Sequence, residues 1–176
     1  MLIVISGLPA TGKTTLAAAL SRRVGAVHLS VDAVEDAMLR AGLEPCWTTG
    51  VAAYEAVGAA AQQNLLLGRV VVVDAVNDSD AARQTWRDTA GRAAVDVRFV
   101  LLLPPASDEH RRRLAARERD FGHVQEPSWE QVMARSDAYE PWRDEPIELS
   151  GEAPVEDLIR RLEPELGFGQ RGAALP

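Results

Sequence analysis

Apolar positions along the chain fall into two alternating patterns. Leu2–Ser6 is a short run of aliphatic and β-branched residues stopped by Gly7, whereas Thr14–Arg23 carries Leu16, Ala17 and Leu20 at the spacing of one helix face. A strand, a glycine turn and a helix are expected in that order. Ala26–Leu29 repeats the strand pattern, and a helix from about Asp32 to Ala41 follows, with Gly42 as its stop. After a loop holding Pro45, Cys46 and Trp47, an alanine-rich helix runs from about Val51 to Leu67 and ends at Gly68. Val70–Val73 is four consecutive valines closed by Asp74, the pattern of a strand buried on both faces.

The second half continues the alternation. A polar helix spans about Asp80–Gly91, and Val95–Leu103 is the longest strand candidate, cut off by Pro104 and Pro105. A helix from Asp108 to about Glu118 carries an arginine cluster. Residues 119–127, RDFGHVQEP, lack periodicity and are expected to form a mobile loop. Ser128 with Gln131 three residues on is a capping-box signature that opens a further helix. Ile147–Leu149 is a weak fifth strand, and Pro154 stands at the first turn of a last helix reaching about Leu166. Residues 1–166 are therefore read as one domain and residues 167–176 as a disordered tail.

Strands alternating with helices imply right-handed βαβ units and a parallel sheet covered on both sides. Ligands on such sheets bind beyond the carboxyl ends of the strands. Gly7–Thr14, Asp32, Asp74 and the segment after Leu103 all fall at those ends.

Composition narrows the function classes. The 176 residues suit one domain, and 47% hydrophobic with 26% charged residues is ordinary for a soluble globular protein. A net charge of -7 argues against a chain whose main task is gripping a phosphate backbone. Cys46 is the sole cysteine, so no intrachain disulfide forms. The opening MLIVISGLPA lacks a basic n-region, and no apolar run approaches the roughly 20 residues that span a bilayer. A cytoplasmic protein without membrane contact is expected.

One residue type is used once. The chain has 19 Lys and Arg, and Lys13 is the single lysine among them. It stands in GLPATGKT, residues 7–14, whose G-x-x-x-x-G-K-T spacing is the Walker A phosphate loop. Gly7 and Gly12 let the backbone turn back so that successive N–H groups converge on phosphate oxygens at a helix N-terminus. Lys13 supplies a compact charge for the β- and γ-phosphates, where a planar guanidinium fits poorly. Thr14 offers a hydroxyl to Mg²⁺. The expected nucleotide-binding segment is Gly7, Leu8, Pro9, Ala10, Thr11, Gly12, Lys13, Thr14 and Thr15, after a strand and opening a helix as such a loop requires. The single lysine also excludes the guanine-specific GTPases, whose base-reading Asn-Lys-x-Asp motif needs another.

The stretch VISGLPATGKTTLAAALSRRVGAVHLSVD resembles the P-loop kinases grouped as zeta-toxin-like, polynucleotide-kinase-like and chloramphenicol-phosphotransferase-like. Further similarity lies in VVVDAVN, residues 71–77, and RLAAR, residues 113–117. The resemblance implies an α/β three-layer P-loop NTPase fold, a five-stranded parallel sheet with helices on both faces and an arginine-bearing lid. It implies ATP and Mg²⁺ as cofactors.

In such kinases the aspartate after the second strand orients and deprotonates the acceptor hydroxyl, and Asp32 matches that position. An N-cap for the following helix is its other reading, and Ser30 would share the pocket. Asp74 matches a Walker B acid, reaching Mg²⁺ or holding the acceptor, although any buried strand can end in Asp. Arg113 and Arg117, four apart on one helix face, match lid arginines that clamp the transferred phosphoryl group. Asp108, Glu109, Glu118 and Asp120 nearly balance them, as on a solvated helix laced with ion pairs. Asn77 and Arg83 fall where related kinases touch substrate, but read more simply as a turn residue and a solvated helix charge. His28 reads as a strand residue.

An acceptor would sit between Asp32 and the loop of Cys46, Trp47 and Tyr54, with Met38 and Arg40 nearby. Glu35 stands where polynucleotide-kinase-like members often carry a basic residue, and it would repel a phosphate-bearing acceptor. The expected activity is ATP-dependent phosphorylation of a small-molecule hydroxyl. A 5′-hydroxyl polynucleotide kinase and a non-catalytic ATP-binding module are the rivals.

Overall fold

A computed structural model describes residues 1–117 and 122–168. Strands β1 (Leu2–Ser6), β2 (Val27–Ser30), β3 (Val71–Asp74), β4 (Val97–Leu103) and β5 (Ile147–Ser150) form one parallel sheet in the order β2-β3-β1-β4-β5. β1 and β3 are buried at every position, because helices cover both faces. That burial explains why their sequences are continuous apolar runs, without alternation.

The helices are α1 (Lys13–Val24), α2 (Val31–Arg40), α3 (Trp47–Leu66), α4 (Asp80–Arg92), α5 (Ser107–Ala115), α6 (Trp129–Asp137) and α7 (Val155–Glu165). Leu16, Ala17 and Leu20 of α1 and Leu158, Ile159 and Leu162 of α7 pack on Ile3, Ile5, Val72, Val100 and Leu102. On the opposite face Ala53, Val57, Ala61 and Leu65 of α3 and Trp86 and Ala90 of α4 cover Leu2, Val4, Val71 and Val73. The result is the three-layer P-loop NTPase architecture, five parallel strands between two helical layers. A small third cluster of Leu8, Leu114 and Val132 joins α5 and α6 to the loop after β1.

Boundaries moved in places. α3 begins at Trp47, ahead of the expected Val51, because the Thr49 hydroxyl donates to the Glu44 carbonyl at 2.7 Å and ties down the first turn. Trp47 is 82% exposed, so an apolar residue off the buried face had masked the helix start. The capping box of α6 is present: the Gln131 N–H donates to Ser128 Oγ at 3.3 Å, and the Ser128 N–H to Gln131 Oε1 at 2.8 Å. No helix among the described residues is long and apolar enough to cross a membrane. The expected mobile loop lies partly, and the expected tail from residue 169 on wholly, outside the described residues.

Candidate active site

The loop between β1 and α1 can only be built with glycine at its start. Gly7 has φ 145°, and a Cβ there would stand 2.4 Å from the Leu102 carbonyl oxygen of β4. Gly12 opens α1 at φ 102°. The Thr11 hydroxyl and the Lys13 ammonium both donate to the Leu8 carbonyl, at 2.9 and 2.8 Å, so the loop folds around its lysine. Lys13 is only 6% exposed and lines two cavities. The first, about 250 Å³, is bounded by Ala10, Gly12, Lys13, Thr14, Thr15, Arg113 and Arg117.

Beside this loop the buried Asp74 meets three side chains from two elements, α1 and β2. Thr14 Oγ1 donates to Asp74 Oδ2 at 2.8 Å, and His28 Nε2 lies 2.6 Å from Oδ1. Ser30 Oγ reaches Oδ2 at 3.4 Å, its residue paired with Asp74 in the β2–β3 register. A carboxylate this buried needs such partners. The Thr14 hydroxyl and Asp74 oxygens together form the hard oxygen set that suits Mg²⁺. His28 was legible only as a strand residue, since nothing in its spacing points across to Asp74.

Arg113 on α5 and Arg117, two residues past the end of a helix expected to reach about Glu118, line the same cavity as Lys13 and Thr14. Arg113 donates to Glu109 Oε1 at 2.6 Å and to the Gly151 carbonyl at 2.7 Å, while Arg117 lies 3.5 Å from Glu126. Arg112 also pairs with Glu109, whose carboxyl is held below its ordinary range, mainly by the Arg113 hydrogen bond. Buried His110 donates from Nε2 to the Pro9 carbonyl at 2.7 Å, which ties α5 to the phosphate loop. Sequence reasoning found no role for His110. Arg119 lies outside the described residues.

On the other side of Lys13 two connected cavities share Asp32, Glu35, Val76 and Arg135. One, about 390 Å³, runs from Lys13 and Pro9 to residues 124–127 and α6. The other, about 520 Å³, opens between α2, α3 and α4 past Cys46, Trp47 and Tyr54. Asp32 is the second residue of α2, with Ser30 in the capping position, so its carboxylate belongs to these cavities and not to the cap. Met38 packs against the core and Arg40 lies 3.8 Å from Asp36, and neither is among the residues lining these two cavities.

Arg83 departs from its expected place, whereas Asn77 is the turn residue expected. Arg83 is fully buried, not a solvated helix charge: its guanidinium donates to the carbonyls of Asn77, Asp78, Glu140 and Pro141 and lies 4.2 Å over Trp142. Asn77 holds φ 55°, donates from Nδ2 to Ser6 Oγ at 2.8 Å and accepts from Trp86 Nε1 at 2.7 Å. Together they fix the Val76–Ser79 floor of the larger cavity.

Known proteins bear the same architecture. A family model described as an AAA domain matches residues 2–141. No curated protein matches the chain. Among solved structures, a sugar kinase from Janibacter sp. HTCC2649 aligns with TM-score 0.73 at 19% identity, covering 99% of this chain and 98% of its own. The APS kinase of Mycobacterium tuberculosis, in complex with AMPPNP and APS, gives TM-score 0.71 at 17% identity over 94% and 96%. A gluconokinase from Sinorhizobium meliloti 1021 gives 0.65 at 18% identity over 96% and 97%. At these identities the likeness is one of fold.

Proposed function

The chain belongs to the AAA domain family, matched over residues 2–141, and from that premise we propose that it is an ATP-dependent kinase transferring the γ-phosphate to a hydroxyl of a small molecule. The observation that carries this is the position of Lys13, which borders the phosphate-loop cavity on one side and the Asp32 cavity on the other. A phosphoryl donor and a hydroxyl acceptor held in those two cavities meet at the lysine. The fold neighbours named as sugar kinase, gluconokinase and APS kinase support the same reading. So does the resemblance to the zeta-toxin-like, polynucleotide-kinase-like and chloramphenicol-phosphotransferase-like group, and residues 1–166 are proposed as one kinase domain.

The roles follow from placement. Backbone N–H groups of Gly7–Thr15 and the Lys13 ammonium bind the β- and γ-phosphates. The Thr14 hydroxyl and Asp74 would hold Mg²⁺, which neutralises phosphate charge. Asp32 accepts the acceptor's proton as its oxygen bonds to the γ-phosphorus and the bond to the β,γ-bridging oxygen breaks, releasing ADP. Arg113 and Arg117 offset the charge spread over the transferred group. The carboxylates lining the acceptor cavity disfavour a polynucleotide end, and Asp32 beside Lys13 disfavours a binding-only module.

The test is ADP release from Mg·ATP against sugars, amino sugars, nucleosides, antibiotics and short oligonucleotides, with Lys13→Met as the blank. Stimulation by a small hydroxylated molecule, lost in Lys13→Met with the fold retained, is expected. Equal turnover in Lys13→Met would overturn the reading. Tight ATP binding with no stimulated turnover would favour the binding module.

A further inference from the structure

The larger acceptor cavity has a distinct chemistry. Among the described residues its wall carries four carboxylates, Asp32, Glu35, Glu55 and Asp78, against one guanidinium, Arg135. That guanidinium is engaged by one of the four, with Arg135 Nε 3.2 Å from Asp78 Oδ2, so these two charges offset each other. The imbalance is local, set on four separate elements that converge on one space of about 520 Å³, a volume suited to a small ligand.

Two further observations bear on the occupant. Trp47 and Tyr54 line the same cavity, and aromatic faces beside carboxylates are the surroundings in which ligand ammonium groups are bound. Tyr54 accepts a hydrogen bond from the Asn77 N–H at 3.3 Å, and no described residue takes its own hydroxyl hydrogen. Burial holds its phenol well above the ordinary range, so that hydrogen stays in place to be donated to an oxygen. An anionic acceptor would instead meet like charge on several sides as it approached the triphosphate.

We infer that the acceptor is a hydroxylated amine, an amino-sugar-like molecule whose ammonium faces Glu55 while its reactive hydroxyl faces Asp32. This rests on the kinase reading and narrows its substrate class. Residues shared by the two cavities, Asp32 and Glu35, mark the end near Lys13, whereas Glu55 and Trp47 border only the outer part. A molecule bridging them presents its cation outward and its hydroxyl inward. The ammonium keeps its proton throughout: the new bond forms at the hydroxyl oxygen, and that hydroxyl's proton passes to Asp32.

The test has a binding arm and a turnover arm. Cys46, the sole cysteine, is exposed and lines the cavity, so its alkylation by iodoacetamide reports occupancy without any chemistry on ATP. Glucosamine is compared with glucose and glucuronate, and kanamycin with its N-acetylated form. Protection by the amines that exceeds protection by their neutral or anionic counterparts, reduced about tenfold in apparent affinity by Glu55→Gln, is expected. In ADP release, Glu55→Gln should raise KM for the amine and lower the amine-to-neutral ratio of kcat/KM, and Glu55→Lys should lower it further.

Absent or equal protection by amine and neutral probes overturns the inference, as does an amine preference unaffected by Glu55→Gln and Glu55→Lys. A failure of the kinase reading looks different: charge-selective, Glu55-dependent protection would persist while turnover proved insensitive to Lys13→Met.

Discussion

His28 Nε2 stands 2.6 Å from Asp74 Oδ1, while the other carboxylate oxygen of Asp74 takes the Thr14 hydroxyl at 2.8 Å. One oxygen is thus held by His28 and the other lies between Thr14 and Ser30. Removing the imidazole leaves Asp74 free to rotate away from Thr14. His28→Ala is therefore expected to raise the Mg²⁺ concentration for half-maximal ADP release by about 10–100-fold, the scale of outer-sphere effects on metal ligands. His28→Gln, which keeps a donor, should recover part of it. An unchanged Mg²⁺ titration would show that Asp74 needs no such orientation.

Asp32 tests the proposed proton transfer. Asp32→Asn is close in shape, and should cut phosphoryl transfer by about two orders of magnitude or more while leaving ATP affinity nearly intact. Isothermal titration with a non-hydrolysable ATP analogue checks the second half. Collapse of nucleotide affinity would mark Asp32 as a residue of the nucleotide site and not the base.

Asn77 links three elements through one side chain. Asn77→Ala leaves Trp86 Nε1–H and the Ser6 hydroxyl without their partner in a fully buried place. Each unpaired buried group costs on the order of 1–3 kcal/mol. Urea denaturation should show a midpoint shifted down with little change in slope. A shift within experimental error would mean that water or a rearranged side chain replaces the amide.

Asp36 supplies the pH dependence. Its buried carboxylate accepts the backbone N–H groups of His123 and Val124, at 2.8 and 3.3 Å, and so fastens residues 123–124 to α2. The His123 backbone hydrogen bond is the main reason its carboxyl is held below the ordinary 3.8. A depressed carboxyl stabilises this docking above the ordinary value and loses that stabilisation as pH falls through the lowered one. Amide exchange at His123 and Val124 should stay protected at pH 5 and lose protection only below about 3.8. Asp36→Ala should lack protection at both pH values. Protection in Asp36→Ala equal to wild type would assign the docking to other contacts.

The phosphate loop was legible because its constraints are local. Gly7, Gly12, Lys13 and Thr14 are bound to one another by chain geometry over eight residues, so spacing alone carries the chemistry. The valine run of β3 was legible for a related reason, since burial on both faces leaves no polar position. Arg83 was misread because four carbonyls and the Trp142 face neutralise it, and Glu140, Pro141 and Trp142 lie far along the chain. The partnerships of His28 with Asp74 and of His110 with Pro9 were invisible for the same reason.

The sequence by itself determined the strand and helix alternation and the phosphate loop, because each follows from near-neighbour periodicity or a short motif, while Asp32, Asp74, Arg113 and Arg117 became candidates through the resemblance to the P-loop kinases. Only the tertiary structure decided that Lys13 borders two cavities, that His28 meets Asp74, and that Glu55 and Asp78 share the space beside Trp47 and Tyr54. Parallel strands joined by long crossovers bring residues tens of positions apart to one sheet edge. Their meeting is set by strand order and register, which no local pattern of residues encodes.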